Sequence, residues 1–295
     1  IFIGDDINFD ASSSISTTGE VTLKSLENSF ISELSSQLSN LSLSGNETGL
    51  TIGKEENTAD ITIGSSTTIS GPINIYGGDI NVNANLDTQG GGASGDILLK
   101  ASDNISQASS IDITTNGGDV LYWADSDEDD AGYISFASLG GQDIITNGGN
   151  VVMAGGAGTT LPTGYANGST TAPGISFNYN SNILESFIIN TTKAGSAGGN
   201  ITLKGKTSGN FDGIFTSNVQ FFGNNLILDG QTGGSSMYGV RLGSSAVYNG
   251  SNVSMVIDMD NDLTITAINT AANYAGNALR TGANPRIFAD GDITI

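Results

Sequence analysis

The chain has 295 residues, 9 Lys+Arg against 30 Asp+Glu, a formal net charge of −21, no Cys and no His. That composition excludes disulfides, thiolate sites, Ser-His-Asp triads and His-ligated metals, and its charge excludes electrostatic pairing with nucleic acid. Hydrophobic residues make up 37% of the chain and alternate with polar ones, which argues against disorder. No apolar run approaches the ~18 residues of a membrane-spanning helix.

The chain opens at Ile1-Phe2-Ile3, without Met or a basic leader, and closes at Asp292-Ile293-Thr294-Ile295. Both ends read as strand, so the sequence is expected to be a mature or excised piece of a longer chain. From the amino terminus onward one phrase returns: a Gly/Asp/Asn turn, an aliphatic residue, a small polar residue, another aliphatic. Its copies begin at Asp6, Glu20, Asp60, Pro72, Asp79, Asp96, Asp119, Asn150, Asn200, Asn225, Asp262 and Asp292. The clearest tandem pair is Ile113–Val120 followed by Ile144–Val151, offset by 31 residues.

Each copy predicts a short strand of period two. Ile80, Val82, Ala84 and Leu86 should face one side, and Asn81, Asn83 and Asn85 the other. Strands this short must stack on their neighbours to bury a core, with Gly-Gly and Gly-Asp supplying corners. Variable spacing between copies favours a parallel β-solenoid, because corners can hold loops of any length. At ~20–25 residues and ~4.8 Å per coil, the expectation is roughly 12–14 coils and a rod about 60 Å long. An antiparallel β-sandwich competes, but it would need hairpin turns between the copies.

Three segments interrupt the rhythm. Residues 25–40 place Leu26, Phe30, Leu34 and Leu38 four apart, which fits an amphipathic helix or irregular strands. Residues 154–174 and 268–286 read as Gly/Pro-containing loops leaving the rod, and deletion of 154–174 should leave folding intact. The chain is otherwise expected to be one continuous solenoid over residues 1–295. Tyr122-Trp123, Phe177-Tyr179 and Phe211-Phe215-Phe221-Phe222 are read as core or corner residues.

Residues 1–150 hold 22 acids and 3 bases, whereas 151–295 hold 8 and 6, so the two halves should meet different surroundings. The sharpest acidic feature is Asp125, Asp127, Glu128, Asp129 and Asp130. Alternate carboxylates open an EF-hand-like calcium loop, but position six is Asp130 rather than Gly and position twelve is Phe136 rather than Glu. A solvated acidic loop is the alternative. Asp258, Asp260 and Asp262 share parity, so a continuous strand would align them on its outer face as a second calcium candidate. No other cofactor is expected. Lys204 and Lys206 read as ordinary solvated residues on the outer face of a strand.

The phrases Gly71–Val82, Ile144–Val151 and Gly198–Leu203 resemble repeats of filamentous-haemagglutinin-like bacterial exoproteins. The resemblance covers essentially the whole chain through degenerate repeats. It implies a right-handed parallel β-helix, secretion, and a place in a long cell-surface or shed fibre. The Asn-Pro-Asn-Leu-type motif of that family's secretion domain is missing, its nearest match being Ala283-Asn284-Pro285-Arg286, so a downstream shaft segment is implied. The expectation is a non-catalytic structural and adhesive segment, extracellular, contacting a host or neighbouring-cell receptor or glycan, with self-association into fibres as a further partner mode. Two other classes stay open: a subunit of a self-assembling extracellular filament, and a carbohydrate-active β-helix enzyme, which would need paired carboxylates in a groove.

Overall fold

The computed structural model describes every residue except 11–12, 35–37, 39, 138–140, 178–185, 244–254, 273–276 and 283–284. The described strands pair in parallel in three long sheets, of which only the first runs from end to end, and near the amino terminus Ser14–Ile15 pairs separately with Ser42–Leu43. The first is ordered Phe2–Ile3, Glu20–Lys24, Gly49–Ile52, Ile73–Gly77, Ile97–Ala101, Val120–Ala124, Val151–Gly155, Ile201–Thr207, Leu226–Thr232, Leu263–Asn269, Ile293–Thr294. The second runs from Ile61–Ile63 to Leu279–Thr281, and the third from Thr67–Thr68 to Arg286–Ala289. One turn of chain visits the three in sequence: Ile97–Ala101, then Ile105–Gln107, then Ile113–Thr114, before Val120–Ala124 stacks on the first. This is a parallel β-helix.

Register follows the repeated phrase. Ile97 pairs with Val120, Val120 with Val151, Val151 with Ile201, and Ile201 with Leu226, so the first aliphatic of each copy lies on that of the preceding one. The tandem pair stacks in the same way, Ile113 on Ile144. Nine of the twelve copies head strands of the first sheet; those at Asp60 and Asp79 head the second sheet, and the one at Asp6 heads no strand. The phrase therefore marks chiefly one wall of the helix. Inward residues form a single core: Ile80, Val82 and Leu86 are fully buried and Ala84 nearly so, while Asn81, Asn83 and Asn85 stay outside. Midway along, Phe136 stacks on Phe177 with centroids 4.6 Å apart, and Phe187 and Phe221 meet Phe177 edge-on. Of the aromatic residues named above, Tyr179 lies outside the described residues.

The corner before the first sheet explains the Gly-Asp and Gly-Asn dipeptides. Gly95, Gly118, Gly149 and Gly199 stack so closely that a Cβ on any of them would collide with the backbone of the glycine one coil earlier. The Asp or Asn that follows forms an external ladder. Asp119 N–H donates to Asp96 Oδ1 (2.8 Å), Asn150 N–H to Asp119 Oδ1 (2.7 Å), and Asn200 N–H to Asn150 Oδ1 (2.9 Å). Buried Thr88, Thr115, Thr146 and Thr191 close the same corner, each donating its hydroxyl to a glycine carbonyl. The ladder residues and threonines of this corner thus have partners, as burial requires.

Several expectations need correction. Among the described residues the first sheet stacks eleven strands on its main path, which makes ten steps and a rod of about 48 Å. Coils are longer than assumed because corners absorb loops; Val151 to Ile201 takes 50 residues. Residues 25–34 form no helix: the chain is irregular, buries Phe30 and Leu34, exposes Leu26, and bridges in parallel from Leu34 to Ile61. Residues 35–37 and 39 of that segment lie outside the described residues, and Leu38 and Asn40 are helical. Within 268–286, Leu279–Thr281 pair with Val240–Leu242, so this part belongs to the coil; Tyr274 and the Ala283-Asn284 dipeptide lie outside the described residues.

The segment 154–174 is not simply a loop leaving the rod either. Ala154 and Gly155 complete a strand of the first sheet, and Ala166–Gly168 pair with Gly205–Thr207. Between them the chain folds back over Trp123, whose alternation points it outward but whose ring is buried. The Trp123 indole N–H donates to the Gly156 carbonyl (2.6 Å), and Lys100 Nζ lies 4.4 Å from the ring centroid on the ring face.

Candidate metal centre

The corner between the first and second sheets carries its own ladder. Asp79 N–H donates to Asp60 Oδ1, Asn104 donates through both N–H and Nδ2 to Asp79 Oδ1, and Tyr133 N–H donates to Asn104 Oδ1. This stacking brings acids that are distant in sequence onto one edge. The acidic loop opens on that edge, straight after Val120–Ala124.

Asp125, Glu128 and Asp130 all have positive φ (49°, 60° and 69°), which bends the loop tightly. Asp tolerates that geometry better than most residues. The Asp125 backbone is held at both ends: its N–H donates to Asp103 O (3.1 Å), and its carbonyl accepts from Gly156 N–H (3.0 Å). As a result the carboxylates of Asp125, Asp127 and Asp129 converge, with one oxygen of each lying within 4.8 Å of the others. Among the described residues no other group of three or more acids converges in this way.

The three carboxylates differ in environment. Asp127 and Asp129 are exposed, whereas Asp125 is 4% exposed and its Oδ1 has no hydrogen-bond partner. Burial pushes the Asp125 carboxyl up to about 6; the Ala131 N–H works against this, and the charges of Asp129, Asp127 and Asp130 add to it. Asp103 is raised in the same direction, first by burial, then by Asp79, Asp129, Asp127 and Asp60. Negative charge is thus concentrated where solvent is restricted, and an oxygen-ligated hard cation answers that arrangement chemically.

Asp130 stands apart from the three. Its Oδ1 accepts from Asn167 Nδ2 (2.9 Å) and from Lys206 Nζ (3.1 Å). Lys206 is therefore an ion-pair partner rather than a freely solvated base, and it reaches across 76 residues of sequence to do so. Together with an antiparallel bridge from Gly132 to Asn167, these contacts fasten the acidic loop to the segment that covers Trp123. Asp103, Asn167, Lys206 and Gly156 carried no local signal in the sequence; only coil stacking makes them neighbours of the loop.

Asp258, Asp260 and Asp262 do not converge. Their strand ends at Met259, so the expected continuous outer face is cut by a corner. Asp258 stays exposed on the strand, and Asp260 N–H donates to Gly223 O. Asp262 joins the Asp/Asn ladder, donating its N–H to Asn225 Oδ1 and accepting from Asp292 N–H on Oδ1. A polar cleft of about 460 Å³ opens near Ser14, Ser42, Ser65 and Thr67, and no ionisable side chain among the described residues lines it. No helix among the described residues is long and apolar enough to cross a membrane. Compared with protein-family models, with curated proteins and with solved structures, the chain matches none.

Proposed function

We propose that this chain is a non-catalytic structural and adhesive segment of a secreted bacterial surface fibre, working as a stiff spacer that presents contacts to a receptor or glycan on a host or neighbouring cell. The observation that carries this reading is the parallel stacking of one sheet from Phe2–Ile3 to Ile293–Thr294, joined from Ile61–Ile63 and Thr67–Thr68 onward by two further sheets around one core. In such a solenoid length grows simply by adding coils, and backbone hydrogen bonds run along the axis, so bending or stretching loads many bonds at once. Acidic corner ladders form a hydrated, like-charged skin that keeps neighbouring rods apart. The likeness of the repeat phrases to filamentous-haemagglutinin-like exoproteins supports the same assignment. Contacts fall to outward excursions such as 156–165, where Leu161 is 57% exposed.

The test couples imaging to function. Micrographs of the chain should show single rods, and beads coated with it should adhere to cells or to members of a glycan array. Release of oligosaccharide from an acidic polysaccharide would transfer the protein to the enzyme class. End-to-end polymers in the micrographs would instead favour a filament subunit.

A further inference from the structure

We propose that Asp125, Asp127 and Asp129 form a calcium site that staples the acidic loop at 125–132 to the excursion covering Trp123. The inference stands on local geometry and holds whether or not the rod belongs to a surface fibre. Acidic clusters on a surface are common, and this one has a further property. The Asp125 carboxylate is more than nine-tenths buried, has an oxygen with no hydrogen-bond donor, and faces the other two carboxylates. An ionised oxygen left unpaired in a site of low solvent access costs free energy that a bound cation would recover.

The spacing fits the ion. Oxygens sharing one Ca²⁺ at about 2.4 Å lie no more than about 4.8 Å apart, and one oxygen from each of the three carboxylates lies within that distance of the other two. Mg²⁺, at about 2.1 Å, draws its ligands closer and demands near-ideal octahedral geometry. All three side chains offer hard oxygen donors, and the chain contains no Cys or His to favour a softer metal. Asp130 is committed to Lys206 and Asn167 and is left out of the ligand set. Ala131 N–H donates to Asp129 Oδ1 (2.9 Å), which orients that carboxylate while leaving its second oxygen available.

The consequence is mechanical. Asp125 is tied through its carbonyl to Gly156, and Asp130 through its side chain to Asn167. A cation on the loop between them would hold both ends of the excursion against the first sheet.

The test uses Tb³⁺ as a luminescent calcium substitute, sensitised by the single tryptophan, Trp123, two residues from Asp125. Tb³⁺ emission should rise on binding, be displaced by Ca²⁺ titrated into the millimolar range, and be displaced much less by Mg²⁺. Asp127→Asn with Asp129→Asn should weaken Ca²⁺ binding by at least about tenfold. Both residues are exposed, so the fold is retained, with circular dichroism as the check. Asp258→Asn with Asp260→Asn should leave binding unchanged. In wild type, Ca²⁺ should also slow proteolysis within 156–165, whereas NaCl at matched ionic strength should not. The proposal is overturned if wild type gives no sensitised emission. It is equally overturned if the Asp127/Asp129 variant binds as wild type does, or if the Asp258/Asp260 variant loses binding equally, since either result means diffuse attraction to an acidic surface.

Discussion

Replacing Gly149 with alanine tests the rule that sets this corner. Gly149 does not need left-handed backbone; it needs space. A Cβ there would lie 2.5 Å from the Gly118 carbonyl carbon and closer still to its oxygen. Relief to ordinary van der Waals distance requires the two coils to part by about 1 Å. The bonds from Val120 N–H to Asn150 O (2.8 Å) and from Asn150 N–H to Asp119 Oδ1 (2.7 Å) span that gap. Stretched to about 3.8 Å they are lost, at about 1 kcal/mol each. Overpacking adds about 1–3 kcal/mol, and reduced freedom of the unfolded chain returns about 0.4–1 kcal/mol. The expected net loss is about 2–5 kcal/mol. Gly19→Ala is the control: the nearest atom to its Cβ is Thr17 Oγ1 at 3.5 Å, so it should be neutral or stabilising by up to about 1 kcal/mol. Urea unfolding followed by Trp123 fluorescence reads the global change. Amide exchange at Val120 and Asn150 reads the local one, which matters because solenoids can unfold in sections. If Gly149→Ala matches wild type in both, the steric account of the Gly-Asp and Gly-Asn corners is wrong.

Three further outcomes are expected. Phe177→Ala should cost about 3–5 kcal/mol, because the coils above and below are held at fixed spacing and cannot collapse into the space left between Phe136, Phe187 and Phe221; Phe177→Leu should cost much less, both read by urea midpoint. Asn150→Ala should lower stability by about 1–2 kcal/mol, since Asn200 N–H loses its acceptor and Asp119 Oδ1 loses a side-chain donor, with enhanced exchange at Asn200 as the local sign. Asp212 gives a pH dependence: burial raises its carboxyl above the ordinary range, against the Tyr238 N–H and the Arg241 guanidinium. The folded chain then holds this proton to higher pH than the unfolded chain does. Its contribution to stability should fall as pH rises from the unfolded value, about 3.9, through the raised folded one. Asp212→Asn should lose this slope relative to wild type across the acid range, and parallel curves would count against the assignment.

Much of the architecture was legible in the residues. Alternation in Ile80–Leu86 and the return of one phrase identified stacked strands, because a strand of three to five residues has no other way to bury its inner face. The tandem pair even specified its own register, Ile113 on Ile144 and Val120 on Val151. The acidic loop was visible as well, and so was the approach of Asp125, Asp127 and Asp129 through their alternate spacing. Parity misled where a strand stopped. Asp258 and Asp262 flank a corner, and a corner resets which way a side chain points.

What the sequence by itself determined is the repeating unit, since period-two patterning and glycine corners are local properties of a few residues. Which wall each copy occupies, which carboxylate is buried, and which base answers Asp130 were decided only by stacking. Lys206 stands 76 residues from Asp130, and Asn167 37 residues from it, yet both lie within hydrogen-bonding distance. Coil length varies from 19 residues, Ile61 to Ile80, to 50, Val151 to Ile201, so no fixed offset in the chain could have predicted those neighbours. The burial of Trp123 has the same cause. Its place in the alternation is external, and only the chain from the next coil, folding back over it, removes it from water.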